Sequence, residues 1–275
     1  MIPEDYPVQE PISEFARPYH DEVLRRAKGL GGVEERLGED PYQSLVLFEA
    51  PDPSGDVLGF IHGGGWTNGY KEWMSFMAPA LTARGVTFAS IGYRLAPAHL
   101  FPSGYEDCLA GIAWLARNVG SHGGDADRIF VGGHSAGGHQ AALMAVRNDW
   151  QSALELPGTV IRGCLPVSGV YEFREGSGLT MRPRFLGPEA AGMDTPASPL
   201  AHVTDRPLPF LIAYGDNDFS HLIAQAEAME TALNSAGGDV SSLVLEGCGH
   251  LEASLATGDP KAPWVGAAVD WMRRH

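Results

Sequence analysis

The sequence predicts an α/β protein in which a mostly parallel sheet of seven or eight strands is flanked by helices. From about residue 57 onward, short β-type runs alternate with helical patterns, and such alternation is typical of parallel strands joined by crossover helices. The 275 residues, 44% hydrophobic and 19% charged, suit one large globular domain. No repeat, low-complexity tract or polar linker divides the chain, so we expect a single domain over residues 1–275.

The individual elements are predicted in chain order from hydrophobic periodicity and turn residues. Residues 1–40 are polar with one short helical pattern, and we interpret them as a cap-like segment, followed by an edge strand at 44–50. The later patterns predict strands at 57–62, 86–93, 128–133, 160–168, 209–215 and 241–247, and helices at 71–85, 105–119, 136–148, 220–238 and 263–275. Scattered Gly, Pro and Arg at 171–203 replace a crossover helix, which predicts a lid-like insertion there.

Charge and cysteine content exclude several classes of protein. Acidic residues outnumber basic ones 34 to 19, for a formal charge of −15, so the chain lacks the basic excess that nucleic acids and anionic membranes require. Three cysteines without metal-ligand spacing indicate neither a disulfide framework nor a metal site. The N-terminal residues do not form a secretory signal pattern. We therefore expect a cytoplasmic protein that acts on a small molecule and binds neither nucleic acid nor membrane; a homodimer is left open.

A candidate nucleophile lies where a predicted strand meets a predicted helix. Gly133, His134, Ser135, Ala136 and Gly137 form a G-x-S-x-G motif directly after the strand-like run RIFV. The turn at such a motif is so tight that the flanking residues must lack a bulky Cβ, and its strain projects the serine hydroxyl outward. The context therefore predicts Ser135 as the nucleophile of an acyl transfer.

A second motif predicts the group that stabilises a developing negative charge. The run HGGGW at 62–66 begins at the last residue of the predicted strand at 57–62. Consecutive glycines allow backbone N–H groups to face a substrate carbonyl that becomes an oxyanion in the tetrahedral intermediate. We predict an oxyanion hole formed by the N–H groups of Gly64, Gly65 and Ala136.

A base and an acid complete the predicted site. A reactive serine needs a base that is oriented by an acid, and a strand–helix fold of this kind supplies them in the order serine, acid, histidine. His250 follows the last predicted strand, and both Asp216 and Asp218 follow the strand at 209–215. Asp218 is preferred because its spacing from the strand end carries the carboxylate around the turn. Ser135, His250 and Asp218 are therefore predicted as catalytic, with no metal and no other cofactor.

Five segments together resemble a known family. They are HGGGW, YRLAPAHLFP (93–102), GGDADRIFVGGHSAGGHQAA, AYGDNDF and GCGH, and they look like the hormone-sensitive-lipase-like and kynurenine-formamidase-like (BD-FAE-like) esterases of the α/β-hydrolase superfamily. The resemblance covers the chain from about residue 45 to its end. It implies an α/β-hydrolase fold and a carboxylesterase-type serine hydrolase, and it supports Asp218, since GDNDF matches the formamidase pattern. The first 40 residues are shorter than the cap of typical hormone-sensitive-lipase relatives, so the substrate pocket is not carried over.

Substrate contacts and rival functions are predicted less directly. Trp66 and Phe101 lie near the glycine motif and the FP pair, where they could bind substrate or equally belong to the core. Arg182 and Arg184 of the insertion could clamp a substrate carboxylate, or be solvated loop arginines. The same catalytic residues could serve an arylformamidase, a lactonase or a small peptidase. A ligand-binding protein on an inactive scaffold is the alternative from another class, and it is disfavoured because serine and histidine are both present.

Overall fold

A computed structural model describes residues 3–275, and an eight-stranded sheet forms its centre. The strands are β1 (Val33–Arg36), β2 (Ser44–Phe48), β3 (Gly55–Ile61), β4 (Thr87–Ile91), β5 (Gly124–His134), β6 (Gly163–Val167), β7 (Phe210–Gly215) and β8 (Val240–Leu245). Their order across the sheet is β1-β2-β4-β3-β5-β6-β7-β8. β2 pairs antiparallel with β1 and β4, whereas β4, β3, β5, β6, β7 and β8 run parallel. The predicted mostly parallel sheet is confirmed.

The prediction of an edge strand at 44–50 is wrong. β2 pairs with β1 on one side and with β4 on the other, and all of its residues are buried. The edge belongs to β1, whose sequence VEER is largely exposed. A polar strand of four residues has no hydrophobic alternation, so its sequence does not distinguish it from a loop.

Helices α1–α9 and short three-ten helices lie before, between and after the strands. The α-helices are Arg17–Ala27, Ala78–Thr82, Ser103–Asn118, Ala136–Val146, Arg182–Leu186, Asp194–Ala197, Ser220–Ser235, His250–Ala256 and Pro263–Arg274. The three-ten helices are Pro3–Asp5, Lys71–Met77, Val119–His122, Ser152–Leu154, Glu189–Ala191 and Pro199–His202. The predicted helix at 71–85 is instead a three-ten helix followed by α2. Pro79 explains the break, because proline lacks an N–H and its ring clashes with the carbonyl of the residue four positions earlier.

The hydrophobic core lies on both faces of the central strands. Every residue of β4, β6 and β7 is buried, as expected for parallel strands covered by helices on both sides. Among residues 3–275, no helix combines the length and the apolar character that a membrane crossing needs.

Two segments depart from the strand–helix alternation. Residues 171–203, between β6 and β7, contain α5, α6 and two three-ten helices but no strand within the described chain. Residues 3–32 contain α1, which packs against the three-ten helix Lys71–Met77. The buried Lys71 ammonium fixes the start of this segment, since its Nζ donates to Tyr6 Oη at 2.8 Å. Both segments contribute side chains to the cavity described below.

Candidate active site

Ser135 occupies a strained turn between β5 and α4. Its backbone has φ 56° and ψ −118°, a conformation that costs energy for a residue with a side chain and occurs mainly at functional sites. A Cβ at Gly137 would lie 2.0 Å from the carbonyl oxygen of Ile61, and one at Gly133 would lie 2.3 Å from the Gly137 backbone. Only glycine fits at these two positions, so the local sequence forces the turn and exposes the serine side chain to the cavity.

The structure brings Ser135, His250 and Asp218 together in one hydrogen-bonded chain. His250 Nε2 lies 2.9 Å from Ser135 Oγ, and His250 Nδ1 lies 2.9 Å from Asp218 Oδ1. With His250 neutral, the serine hydroxyl donates to Nε2 and Nδ1–H donates to the carboxylate, which fixes the imidazole tautomer. Asp216, the alternative acid, is exposed and accepts a hydrogen bond from Asn217 Nδ2 at 3.1 Å.

The Asp218 carboxylate is buried but kept ionised. Its side chain is 0% exposed, and burial by itself raises the pKa of a carboxyl group. Hydrogen bonds from His250 and from the N–H of Phe219 at 2.7 Å, together with the positive charge that His250 carries when it is protonated, outweigh burial and hold the Asp218 pKa below its usual value. Asp218 is therefore a negative charge directed at Nδ1 of His250.

His134 contacts both the backbone and the ring of His250, and the sequence did not predict this contact. Its Nε2–H donates to the His250 carbonyl oxygen at 2.9 Å, and the two ring centroids are 4.7 Å apart. Its other ring nitrogen faces the glycine motif, since a Cβ at Gly63 would lie 3.0 Å from Nδ1. His134 thus lies between the predicted oxyanion loop and the predicted base. No signal in the sequence indicates this role, because it depends on where the distant His250 loop packs.

Three histidines near the site remain neutral. Burial lowers the pKa of His62 and of His139 from 6.5 to about 4. Burial, and then the neighbouring His250, lower the pKa of His134 to about 3. These imidazoles therefore act as hydrogen-bonding groups rather than as charges.

The glycine motif after β3 lies beside Ser135. Gly64 has φ 110°, and a Cβ there would lie 2.0 Å from the carbonyl oxygen of Asn68. Gly65 has φ 60°, and both glycines line the cavity that contains Ser135. Within residues 3–275 the N–H groups of Gly64 and Gly65 donate to no protein acceptor, and the N–H of Ala136, the first residue of α4, has no intrahelical partner. In the described part of the chain these three N–H groups have no backbone acceptor, and they adjoin the nucleophile.

The cavity beside Ser135 has a volume of about 310 Å³. Its lining includes glycine-motif backbone and, from the N-terminal segment, Glu10, Ile12, Phe15 and Tyr19. Met181 and Arg184 of the insertion and Leu251 after His250 complete much of the remaining wall. The contribution of the N-terminal segment was not predicted, since nothing in a polar stretch indicates which distant loop it covers.

Trp66 and Phe101 are not in this lining, so the structure does not place them as substrate contacts. Both are buried and pack on Phe185 of α5, with ring centroids 4.4 Å and 5.6 Å apart. Trp66 Nε1–H also donates to His139 Nδ1 at 3.2 Å. These aromatic side chains pack beneath the insertion, which covers them. Of the two roles considered for them, they therefore have that of hydrophobic core residues.

The two predicted clamp arginines have different positions. Arg182 Nη2 donates to Asp194 Oδ2 at 2.6 Å, and Arg182 lies outside the cavity that contains Ser135. Arg184 does line the cavity, where its Nη2 forms an ion pair with Glu10 Oε1. The structure therefore does not bring the two guanidinium groups together, because each has its own carboxylate partner.

Known proteins resemble this chain in sequence and in fold. Esterase LipC of Mycobacterium tuberculosis is 31% identical over 273 residues, which cover 91% of this chain and 66% of that protein. Esterase LipQ of the same organism is 31% identical over 203 residues, which cover 68% of this chain and 48% of that protein. This chain thus spans about half to two thirds of the length of these curated relatives.

Solved structures and a family model identify the fold. The esterase of Pyrobaculum calidifontis superposes with a TM-score of 0.77 at 19% identity, covering 94% of this chain and 92% of that one, and at this identity the likeness concerns the fold alone. A family model described as alpha/beta hydrolase fold matches residues 58–253, which is more than half of the chain. With an eight-stranded, mostly parallel sheet and a G-x-S-x-G turn after β5, this chain belongs to the alpha/beta hydrolase family.

Proposed function

We propose that this protein is a carboxylesterase-type serine hydrolase that cleaves small carboxylic esters. The observation that carries the proposal is the chain of two 2.9 Å contacts from Ser135 Oγ through His250 to Asp218. Three unpaired backbone N–H groups beside the serine support it, because an acyl transfer needs donors where the oxyanion forms. The names of the relatives, esterase LipC and esterase LipQ, favour an ester over a formamide.

The first half of the proposed reaction acylates the serine. Ser135 Oγ attacks the ester carbonyl carbon while its proton passes to His250 Nε2, and Asp218 stabilises the imidazolium through Nδ1–H. The carbonyl oxygen becomes an oxyanion and accepts hydrogen bonds from Gly64, Gly65 and Ala136. The C–O bond to the alcohol then breaks, and Nε2–H returns the proton to the departing alcohol.

The second half hydrolyses the acyl-enzyme. Water enters the place of the alcohol, His250 Nε2 removes one of its protons, and the hydroxide oxygen attacks the acyl carbon. The bond from the carbonyl carbon to Ser135 Oγ breaks, and Oγ regains a proton from Nε2. One carboxylic acid and one alcohol are released, and the site returns to its starting protonation state.

The experiment is the hydrolysis of p-nitrophenyl acetate, butyrate and octanoate by wild type and by Ser135→Ala, combined with labelling by a fluorophosphonate. We expect wild type to turn over at least the short esters and to be labelled, and Ser135→Ala to lose both properties. Labelling without ester turnover would direct the search to formamides and lactones. The absence of both turnover and labelling in folded wild type would overturn the proposal and favour the ligand-binding alternative.

A further inference from the structure

The active-site cavity contains a single pair of opposite charges. Among the described residues that line it, Glu10 is the only acidic side chain and Arg184 is the only lysine or arginine. Arg184 Nη2 and Glu10 Oε1 form an ion pair. Much of the remaining side-chain lining is apolar, including Ile12, Phe15 and Leu251. The cavity therefore offers a substrate no net charge, although it contains a guanidinium group.

The backbones that carry the two charges are held independently of the ion pair. Gln9 Nε2–H donates to the Gly69 carbonyl at 2.8 Å and Gln9 Oε1 accepts from the Gly69 N–H at 2.9 Å. Asn68 Nδ2–H donates to the Glu10 carbonyl oxygen at 2.6 Å. On the other side, Phe185 stacks on Trp66 directly beside Arg184. A change confined to the Glu10 side chain therefore alters the charge of the cavity and leaves its wall in place.

An unpaired guanidinium in such a cavity would select a carboxylate. Arg forms charge-assisted, often bidentate hydrogen bonds with carboxylates, and these are stronger than hydrogen bonds between neutral groups. In this chain a substrate carboxylate has to displace Glu10 from Arg184 and then remains close to the displaced negative charge. The acidic surface, with 34 acidic against 19 basic residues, further lowers the rate at which anions reach the cavity.

We propose that Glu10 is a specificity-determining residue: by neutralising Arg184 it reserves the cavity for esters whose acyl and alcohol parts carry no negative charge. The inference rests on the proposed esterase function and names its substrate class. Arg184 is thereby also assigned as a binding site for a substrate carboxylate, which becomes available when the negative charge of Glu10 is removed. In place of the predicted clamp of two arginines, the cavity has one arginine, and this arginine is already paired with Glu10.

The experiment compares neutral and anionic esters of equal length. On the acyl side the pair is methyl valerate and monomethyl glutarate; on the alcohol side it is butyl acetate and γ-acetoxybutyrate. In each pair a terminal methyl is replaced by a carboxylate, and a pH-stat measures kcat/KM for all four. The variants are Glu10→Gln, Arg184→Gln and their combination. Asp194→Asn is the matched control, since it frees Arg182, which lies outside the cavity.

We expect Glu10→Gln to raise the anionic-to-neutral ratio of kcat/KM about tenfold in at least one pair. This effect lies at the lower end of what one charge-assisted hydrogen bond contributes, because Arg184 is half exposed to water. The combined variant should lose this gain, Arg184→Gln should lower the ratio below that of wild type, and Asp194→Asn should leave it unchanged.

Three outcomes would overturn the inference: ratios within about twofold of wild type in Glu10→Gln, a gain that persists in the combined variant, or the same gain in Asp194→Asn. A Glu10→Gln protein that does not fold still leaves the decrease in Arg184→Gln as the deciding result. Turnover of the two neutral esters tests the proposed function separately. Folded wild type that hydrolyses neither neutral ester, is inert toward the p-nitrophenyl esters and is not labelled by a fluorophosphonate overturns both proposals, whereas neutral turnover with unchanged ratios overturns this one alone.

Discussion

Substituting Asp218 with asparagine tests how the proposed base is held and charged. Asparagine has nearly the same shape, so the packing around the 0% exposed side chain is retained. The substitution removes the negative charge 2.9 Å from His250 Nδ1. It also allows the amide NH₂ to face Nδ1, which would stabilise the wrong tautomer of the imidazole.

The magnitude follows from the contact distance. Two unit charges 2.9 Å apart interact by about 6 kcal/mol at an effective dielectric constant of about 20. Screening by water is small, since His250 is 10% exposed and Asp218 is fully covered. This interaction is made only when His250 is protonated in the transition state, so its loss should lower kcat by about 10⁴-fold, at about 1.4 kcal/mol for each factor of ten.

The assay is the steady-state hydrolysis of p-nitrophenyl butyrate at about pH 8, with Asp216→Asn as the matched control. Asp216 is exposed two residues earlier in the same loop, and we expect its variant to retain activity within about twofold. Thermal melts of both variants confirm that they are folded. A folded Asp218→Asn variant that retains more than about a tenth of wild-type kcat would contradict this expectation, as would an Asp216→Asn variant that loses as much activity as Asp218→Asn does.

Three further outcomes are expected from the geometry of the site. Gly64→Ala should lower kcat at least about 100-fold, because its Cβ would overlap the Asn68 carbonyl. Gly65→Ala is strained only by its φ of 60°, and its Cβ would meet only the flexible end of Met181 at 3.4 Å, so it should lose less; equal losses would contradict this. His134→Phe removes the donor to the His250 carbonyl and should lower kcat about three- to tenfold without changing KM, as initial rates over a range of ester concentrations would show; an unchanged kcat argues against a positioning role. The three buried imidazoles have folded pKa values of about 3 to 4, below about 6.5 in the unfolded chain. Above about pH 6.5 the imidazoles are neutral in both states, so their contribution to stability is complete there and is lost as the pH falls toward the folded pKa values. The free energy of urea unfolding should therefore be about 2 kcal/mol lower per imidazole at about pH 5 than at about pH 7.5. Equal free energies at the two pH values would rule this linkage out.

Those parts of the molecule that depend on short stretches of chain could be predicted from the sequence. The parallel strands could be predicted because each is a buried apolar run next to a helical pattern. The turn at Ser135 could be predicted because its glycines are required by atoms within a few residues and by the adjacent strand. Asp218 and His250 could be selected because they follow late strands, and parallel strands bring their carboxyl ends to one edge of the sheet.

The surroundings of these residues depend on how distant segments of the chain pack together, and they could not be predicted from the sequence. Trp66 and Phe101 have the composition of a binding surface, but the insertion packs over them and makes them core. Glu10 and Arg184 are separated by most of the chain, and neither the polar N-terminal segment nor the irregular insertion has a periodicity that would indicate where it packs. The physical reason is that strand and helix patterns reflect interactions between near neighbours, whereas the contacts that shape this cavity form only after distant segments fold onto the sheet.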